Sequence, residues 1–512
     1  MTRTGADLLA QTLAENGIDT CFANPGTTEM HLLAALGAEQ RIGLKLCLFE
    51  GVATGAADGY ARMTGRPAVV LLHLGPGLAN GMANLHNARK GDTPVFNIVG
   101  EHATYHLEHD APLTADIQAM AETVSAVVST PLQAAETGAM AAGLLGAIAR
   151  GGVGTMVVPN DIAWGETDAA TVAAVAPDAP SFDQGALEQA LNALRAPGGA
   201  LIVGAACITR RMAGLADAIG RATGCTVFAE AAVARMERGG GTPALERIPF
   251  HVDPASDALK GVRAAVLVGA RPPVAFFAYP GRPSRLLPEA AQTIALCDPR
   301  GNAEAALEAL AEALGATPGP ASLPPVPAFD PGARVNAETL GQVVAGQLPE
   351  GAIVVDEAIT NGGYLFTLCA RGPAHDWINN RGGSIGYSMP VAVGAAVACP
   401  DRKVVCIAGD GSAMYTLQAL WTMAREKQNI TILILANRSY RILANESSKI
   451  GAGAPTDVTM PLMSLTDPAL DWVRLAEGHG VPAQAVDTAG ALDAALAEAL
   501  NAPGPRLIEV RM

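Results

Sequence analysis

The chain has 512 residues, half of them apolar and 16% charged, so it can build a large folded core and is long enough for about three domains. Its formal net charge of −15 argues against nucleic acid and against an anionic membrane surface as partners. No apolar run reaches the roughly 18 residues that cross a membrane, and residues 1–17 mix charges into a helical pattern instead of forming a signal peptide. A cytoplasmic protein is predicted.

The cysteines are the next feature that limits the possible classes. They form no CxxC pair, and most lie in apolar runs, which is typical of buried thiols in a reducing compartment. Neither a disulfide framework nor a zinc site is favoured. The eight cysteines are Cys21, Cys47, Cys207, Cys225, Cys297, Cys369, Cys399 and Cys406.

Short apolar runs alternate with longer amphipathic stretches in a first segment, residues 1–167, as in parallel α/β layers. A helix is predicted over 5–16, and a turn at Asn24-Pro25-Gly26. Residues 168–184, rich in Ala, Pro and Asp, are predicted to form a linker. Strands of this segment are predicted at 20–23, 45–49, 68–72, 95–99 and 155–158.

The same rhythm continues in a second segment, 185–315, and a third segment, 333–512, separated by a proline-rich linker at 316–331. We therefore predict an α/β fold of three doubly wound parallel-sheet domains. A helix is also predicted over 415–427. Strands are predicted at 200–203, 226–228, 264–268 and 293–296 in the second segment, and at 353–355, 404–407, 431–436 and 506–510 in the third.

Two buried strands of the third segment end in polar residues, Gly409-Asp410-Gly411-Ser412 and Asn437-Arg438-Ser439-Tyr440. Because adjacent ends of parallel strands open onto one crevice, Asp410 and Asn437 are expected to meet there. A carboxylate, an amide oxygen and a main-chain carbonyl are hard ligands that suit Mg²⁺. A lone Gly-Asp-Gly is more often a plain strand–turn–helix, and the matching Asn is what favours the metal site.

This pair of strand ends resembles the cofactor signature of the thiamine diphosphate (ThDP) enzymes of the acetohydroxyacid synthase, pyruvate oxidase and benzoylformate decarboxylase family. The family has two Asn where this chain has Ala436-Asn437, so the first is missing and the second, which carries the metal contact, is present. The resemblance implies that Asp410, Asn437 and the Ser439 carbonyl bind Mg²⁺. It places four residues beside the diphosphate: Gly409, Gly411, Ser412 and Tyr440.

Two of those residues also have properties that suit an anion. Gly411 lacks a side chain where the diphosphate is expected to come close, and Ser412 lies at a helix start. The resemblance assigns the three predicted domains as pyrimidine-binding, central and diphosphate-binding.

Glu50 begins the string 50–62, EGVATGAADGYAR. Taken alone, a carboxylate that favours the helix dipole explains it equally well. The whole string resembles the family's glutamate segment, in which the glutamate contacts N1′ of the aminopyrimidine and activates the cofactor. In that family the glutamate of one subunit faces the diphosphate domain of its partner. The resemblance therefore implies a homodimer or a dimer of dimers with shared sites.

Residues 381–390, RGGSIGYSMP, resemble the family's loop beneath the thiazolium ring. Ile385 falls where a bulky apolar residue bends the cofactor, and the Gly383 carbonyl falls where the 4′-amino group is held. A glycine turn before a helix is the plain alternative. Thr360 and Asn361 are expected to donate to the diphosphate, although both are also ordinary helix caps.

Two positions resemble substrate-contacting residues of benzoylformate decarboxylase. Thr27 falls where that enzyme has a serine touching the substrate carboxylate, and His73 matches its first active-site histidine. A histidine titrates near neutral pH and can carry protons. A structural hydrogen bonder is the plain alternative for His73.

Four titratable residues follow the strand at 95–99: Glu101, His102, His106 and His109. Their irregular spacing disfavours a metal site, and a solvated loop is the plain explanation. The position matches a substrate-facing loop of the family. Because pyruvate decarboxylases place a histidine pair near here, His109 is a candidate acid–base residue.

The second segment departs from the family's FAD-binding members. Residues 269–273, GARPP, match only the start of the pattern that lines FAD in acetohydroxyacid synthases, so we predict that FAD is not bound. The second histidine of benzoylformate decarboxylase also lies about here, where this chain has Phe276 and Phe277.

An acetolactate-synthase-like carboligase acting on a 2-oxo acid is the leading hypothesis. A 2-oxo acid decarboxylase is the close alternative, favoured by His73 and disfavoured by the missing second histidine. A ThDP-binding regulatory homologue without catalysis is a third, against which the intact Glu50, Asp410 and Asn437 argue. A nucleotide-binding α/β protein would take up no ThDP.

Overall fold

A computed structural model describes residues 3–178 and 181–512. Met1 and Thr2 of the first predicted domain and Ala179 and Pro180 of the first predicted linker lie outside the described residues. Within them the chain forms three large sheets of six, five and eight strands, which confirms the predicted α/β fold. Among the described helices, none has the length and apolar content needed to cross a membrane. All eight cysteines are free.

The first sheet has six parallel strands in the order β3-β2-β4-β5-β7-β6, and a two-stranded antiparallel ribbon, β1-β8, lies apart from it. The strands of this segment are β1 (Arg3–Thr4), β2 (Thr20–Asn24), β3 (Gly43–Leu46), β4 (Ala68–Leu72), β5 (Val95–Glu101), β6 (Val127–Ser129), β7 (Val153–Pro159) and β8 (Glu166–Thr167). The helices are α1 (Gly5–Glu15), α2 (Met30–Ala38), α3 (Glu50–Thr64), α4 (Leu74–Lys90), α5 (Ile117–Val124), α6 (Thr137–Ile148) and α7 (Asn160–Trp164).

Two boundaries in the first segment differ from prediction. The edge strand predicted over 45–49 is β3, which pairs with β2 only up to Leu46. Cys47 to Phe49 instead lead in extended conformation to α3, so Glu50 starts a helix. Helix α1 ends one residue before the predicted Asn16, which caps it, and it begins with a capping box formed by Thr4 and Asp7.

The central sheet has five parallel strands in the order β13-β11-β9-β14-β15. The strands of the second segment are β9 (Gly199–Val203), β10 (Cys207–Ile208), β11 (Thr226–Ala229), β12 (Arg235–Arg238), β13 (Glu246–Arg247), β14 (Ala264–Val268) and β15 (Gln292–Cys297). Its helices are α8 (Leu187–Arg195), α9 (Arg210–Thr223), α10 (Val252–Leu259) and α11 (Ala303–Leu314).

The third sheet has eight strands in the order β10-β12-β17-β16-β18-β19-β21-β20, so it takes two strands from the second segment. Strand β12 is antiparallel to β17, and the other pairs are parallel. The third segment's strands are β16 (Ala352–Glu357), β17 (His375–Asn379), β18 (Val404–Gly409), β19 (Ile430–Ala436), β20 (Ala483–Val486) and β21 (Arg506–Arg511). Its helices are α12 (Ala337–Gln347), α13 (Gly363–Cys369), α14 (Ser388–Ala398), α15 (Asp410–Ala413), α16 (Ala419–Arg425), α17 (Arg441–Lys449), α18 (Trp472–Gly478) and α19 (Ala489–Asn501).

The helix predicted over 415–427 is shorter than expected, because a 3₁₀ turn over Met414–Thr416 precedes α16. More important for the site is the contact of α3 with α14, which joins the first and third segments. A Cβ on Gly59 would lie 2.1 Å from the Val391 carbonyl oxygen, and one on Gly394 would lie 1.8 Å from that of Ala56. The helix that begins at Glu50 is thus locked backbone to backbone against α14.

Candidate active site

Glu50, the first residue of α3, lies at the carboxyl edge of the first sheet and is 8% exposed. Asn80 on α4 donates a hydrogen bond to Glu50 Oε2 at 3.0 Å. A Cβ on Gly77 would lie 3.3 Å from Oε1, so glycine leaves room beside that oxygen. No further hydrogen bond reaches this carboxylate from the residues that the structure describes. One oxygen is therefore fixed and the other is left for a ligand.

His73 and Thr27 follow two neighbouring parallel strands, β4 and β2, and so lie at the same edge as Glu50. His73 Nδ1 is 2.7 Å from Oε2 of the fully buried Glu29. The main-chain NH of Gly26 donates to the same oxygen at 2.9 Å. Glu29 thereby holds the imidazole ring in place. The Thr27 side chain is exposed and makes no hydrogen bond within the described chain.

The loop after β5 separates its histidines. His109 lies at the outer end of a 3₁₀ turn, 63% of its side chain is exposed, and its ring contacts His106 with centroids 5.6 Å apart. Burial and the neighbouring His106 and His73 lower the pKa of His102, whose Nε2 is buried without a partner among the described residues. His102 thus interacts electrostatically with His73, and the acid–base role of the exposed His109 stays a prediction.

Asp410 and Asn437 come together at the carboxyl edge of the third sheet, because Gly409 of β18 pairs with Leu435 of β19. The main-chain NH of Arg438 donates to Asp410 Oδ2 at 2.7 Å. Asp410 is 3% exposed, and burial raises the pKa of its carboxyl, opposed by that hydrogen bond. The predicted adjacency of the two side chains therefore has a structural basis in the strand register.

The donor set at this edge suits a hard cation. Asn437 Oδ1 accepts the Ser439 main-chain NH at 3.0 Å, and Asp410 Oδ1 accepts that of Gly411 at 2.9 Å; each oxygen keeps a further lone pair. The Ser439 carbonyl accepts no hydrogen bond from the described residues. No group of three His, Cys, Asp or Glu in the described chain is arranged to hold a metal. The predicted Mg²⁺ site is not a group of this type, because Asp410 is the one His, Cys, Asp or Glu side chain among its three predicted ligands.

Residues predicted to border the diphosphate lie at the same edge. Thr360 and Asn361 are in the loop after β16, the strand beside β18, and Asn361 is 6% exposed with no side-chain hydrogen bond within the described chain. Ser412 is 4% exposed in α15. A Cβ on Gly411 would lie 2.4 Å from Cε1 of Tyr440. The Tyr440 ring thus packs against Gly411, and the close approach of a diphosphate at this glycine stays a prediction.

The loop before α14 presents a free carbonyl at Gly383. No hydrogen bond reaches the Gly383 carbonyl from the described residues, and Gly383 has φ of +80°. It is thus available for a ligand amino group, as the resemblance implies, and Ile385 follows it, half-buried. The neighbouring carbonyls are hydrogen-bonded: Gly382 with His86 Nε2 at 3.1 Å, Ser384 with Asn87 at 2.9 Å and Asn380 at 2.6 Å, and Gly386 with Thr416 at 2.9 Å.

The carboxyl edge of the first sheet and the loop before α14 are connected through Asn84 on α4. Its side-chain NH₂ donates to the Gly51 carbonyl at 2.8 Å and to the Gly386 carbonyl at 3.4 Å. The residue after Glu50 and the loop before α14 are therefore held by one amide group. On the other side of the loop, Phe276 Cζ would lie 2.5 Å from a Cβ on Gly383.

Glu357 is a residue of this site that the sequence analysis did not identify. It is 4% exposed at the end of β16, and it accepts hydrogen bonds from the main-chain NH groups of Gly386, Tyr387 and Ser388 and from the Ser388 hydroxyl. It fixes the end of the loop against α14. Its signal is a carboxylate directly after an apolar strand, the same position that made Asp410 conspicuous.

Comparisons with known proteins agree with this geometry. Residues 3–121 match the family model of the N-terminal TPP-binding domain of thiamine pyrophosphate enzymes, and residues 362–510 match that of the C-terminal TPP-binding domain. A Mycobacterium tuberculosis protein that carries the name of an acetolactate synthase large subunit, IlvX, is 47% identical over 99% of this chain and 98% of its own length.

Two further relatives carry the names of decarboxylases. Benzoylformate decarboxylase of Pseudomonas aeruginosa is 29% identical, with 97% of each chain covered. The solved structure of the ThDP-dependent 4-hydroxybenzoylformate decarboxylase of Rhodococcus jostii RHA1 is similar with a TM-score of 0.83 at 25% identity, and 99% of each chain is covered.

Proposed function

Because the chain belongs to the ThDP-dependent enzymes that include acetolactate synthases and benzoylformate decarboxylases, we propose that it decarboxylates a 2-oxo acid and joins the remaining acyl unit to a second carbonyl compound. The observations that carry the proposal are the buried Glu50 carboxylate, of which one oxygen accepts no hydrogen bond within the described chain, and the meeting of Asp410 and Asn437 at adjacent strand ends. When bound, ThDP supplies the nucleophilic carbon and the electron sink for CO₂ loss.

Glu50 would hold the aminopyrimidine through Oε1, while Asn80 keeps Oε2 in place. Because the carboxyl group is largely removed from water, a proton shared with the cofactor ring nitrogen is not lost to solvent. The Gly383 carbonyl would accept a hydrogen bond from the 4′-amino group. These contacts orient the cofactor before chemistry begins.

Asp410, Asn437 and the Ser439 carbonyl would bind Mg²⁺, with the diphosphate completing the octahedral shell. Thr360, Asn361 and Ser412 would then donate to diphosphate oxygens. Their support is the shared carboxyl edge of β16, β18 and β19.

A simple 2-oxo acid decarboxylase is the second candidate, and the His73–Glu29 contact favours it. A positioned imidazole can deliver a proton after CO₂ has left, whereas a carboligase must exclude that proton until the second carbonyl compound arrives. Thr27 would contact the substrate carboxylate in either reaction. The Phe276 ring lies against Gly383. This side of the loop therefore presents an aromatic ring and not a second histidine that could supply a proton.

We also propose a homodimer, or a dimer of dimers, in which Glu50 of one subunit faces Asp410 of another. The support is the family resemblance together with half-exposed aromatic rings near the site, among them Tyr415 and Phe276, which are 54% and 46% exposed in the isolated chain.

The deciding experiment uses purified protein with ThDP and Mg²⁺, screened against pyruvate, benzoylformate and related 2-oxo acids. Release of CO₂ with an acetoin-type colour after acidification of the product would establish ligation, and an aldehyde alone would establish decarboxylation. If wild-type protein binds ThDP but releases no CO₂ from any acid, the non-catalytic alternative replaces both.

FAD is not expected to bind, because a carboxylate occupies the crevice between the ends of β9 and β14: a Cβ on Gly204 would lie 2.5 Å from Glu230 Oε2. Protein dialysed against FAD should show no flavin absorbance near ~450 nm after gel filtration. A stoichiometric flavin band would overturn this expectation.

A further inference from the structure

A network of charged side chains, buried at Asp92, Glu230 and Arg381, joins all three segments of the chain next to the candidate cofactor loop. Arg381, in that loop, donates from Nη2 to Glu230 Oε2 at 2.7 Å and to Oε1 at 2.9 Å. The two side chains are 8% and 11% exposed. Arg381 Nη1 has no partner among the described residues, so the carboxylate of Glu230 is the anion that holds this guanidinium.

Glu230 reaches the loop from the crevice where the central sheet reverses its strand order. Strands β9 and β14 are neighbours there, and such switch points are where α/β sheets commonly bind ligands. The Glu230 carboxylate occupies this switch point. The space is narrow, since a Cβ on Gly204 would also lie 2.4 Å from the Gly269 carbonyl oxygen. The crevice thus holds a side chain that points to the loop.

The first segment contributes Asp92, which is buried just after α4. Arg271 donates its main-chain NH to Glu230 Oε1 at 2.9 Å and its Nη2 to Asp92 Oδ2 at 2.7 Å. Arg300 Nε donates to Asp92 Oδ1 at 2.9 Å. Asp92 and the loop-binding Asn87 flank the same helix end. The network therefore runs from α4, through the central segment, to Arg381.

We infer that Glu230 is a positioning residue that sets the Arg381–Gly386 loop, and with it the Gly383 carbonyl, for cofactor binding. Arg381 sits inside a tight turn in which Asn380 Oδ1 accepts the NH groups of Gly382 and Gly383 at 3.0 and 2.8 Å. A buried guanidinium that loses its anion must turn toward water. That movement would displace the turn, since Arg381 is part of it.

The inference rests on the proposed function only in assuming that this loop contacts ThDP. The test is the Kd of ThDP, measured at saturating Mg²⁺ by quenching of intrinsic fluorescence, in wild type and Glu230→Gln. Glutamine keeps the size and can still accept the Arg271 NH, but it removes the charge. We expect the Kd to rise about tenfold or more, as for other residues that orient ligand-binding groups, together with a lower Tm of the cofactor-free protein, because the buried guanidinium loses its anion.

Glu237→Gln is the matched control, because this carboxylate of the same segment accepts the Arg210 NH and lies 3.5 Å from Arg235, away from the loop. Its Kd should equal that of wild type. A Glu230→Gln protein with an unchanged Kd overturns the inference, and so does a lowered Tm with an unchanged Kd, which would mark a purely structural role.

If Glu230→Gln does not fold, Arg381→Lys decides the question, because it keeps a positive charge but loses the two-oxygen contact. A raised Kd supports the positioning role, and an unchanged Kd contradicts it. Failure of the proposed function gives a different result, since wild-type protein itself would then not bind ThDP.

Discussion

Glu50 illustrates how one side chain can be held and left reactive at once. Its Oε2 accepts a hydrogen bond from Asn80 and its Oε1 accepts none within the described chain. Glu50→Gln should therefore lower kcat by about 100-fold or more, because an amide cannot share a proton with the cofactor. Its Kd for ThDP should stay within a few-fold of wild type. Steady-state CO₂ release and fluorescence titration measure the two quantities.

The control for this substitution is Glu15→Gln, which removes an exposed carboxylate at the end of α1 in the same segment. It should leave kcat unchanged. Undiminished turnover in Glu50→Gln would remove the basis of the proposed chemistry.

Residues at strand ends were the ones that the sequence could identify. Asp410 and Asn437 were predicted to meet because apolar runs locate strands and parallel strands share an edge, and the structure places them together. Asn80 and Glu29 were missed, since their contacts depend on how α4 and the first turn cross the sheet edge. The contact of Gly411 with the Tyr440 ring was also missed, because the two residues follow different strands.

At the scale of elements, β17 contains a histidine whose environment couples folding to pH. His375 is 3% exposed, Nδ1 lies 2.9 Å from the Pro373 carbonyl oxygen, and Nε2 has no partner in the described chain. Burial lowers its pKa to about 4. As pH falls below the unfolded value of about 6.5, the unfolded chain takes up a proton that the folded chain refuses. The free energy of unfolding is therefore undiminished by His375 above about pH 6.5, and it declines as the pH falls toward 4.

His375→Gln should accordingly lose about 2 kcal/mol less unfolding free energy than wild type between pH 7.5 and pH 5. Urea unfolding of both proteins at the two pH values measures this difference. His109→Gln, at an exposed ring, should keep the wild-type dependence. Equal losses in wild type and His375→Gln would contradict the assignment.

The contact between α3 and α14 gives a second prediction at this scale. A Cβ at position 394 would meet backbone and not a movable side chain. Gly394→Ala should therefore lower the unfolding free energy by about 3 kcal/mol or abolish folding. Gly346→Ala is the control, because a Cβ there meets nothing within 4 Å on α12, and it should raise stability by up to about 1 kcal/mol. Thermal unfolding by circular dichroism compares them.

The pattern of apolar runs predicted the central strands well, since β4, β9 and β19 are buried over their whole length. It did not reveal β10 or β12, whose two and four residues are too few for a periodic signal. Strand β12 depends on pairing with β17 in another segment, and β10 in turn pairs with β12. The predicted bounds of the edge strand β3, 45–49, were also wrong, because pairing with a single neighbouring strand is too weak a constraint to fix where an edge strand ends.

At the scale of the whole molecule, the proposal that active sites are shared between subunits predicts that two inactive variants complement each other. Glu50→Gln and Asp410→Asn proteins should each be inactive. After subunit exchange in a mixture, each mixed dimer would contain one site with both original residues, and about a quarter of wild-type activity should return. If each site were built within one chain, every site would carry a lesion and mixing would restore nothing. Activity assays of the mixture against time decide between the two.

The eight-stranded sheet means that the order of segments along the gene and the units of folding do not coincide. Residues 333–512 expressed alone would lack β10 and β12, and because β12 is the strand that pairs with β17, the fragment would present a bare row of NH and CO groups along β17. Such a fragment should associate through that row or fail to stay dispersed. Recombining this protein with its relatives at the proline-rich linker would take β12 from one parent and β17 from the other. Successful chimaeras should therefore need breakpoints that keep β10, β12 and β17 from the same parent.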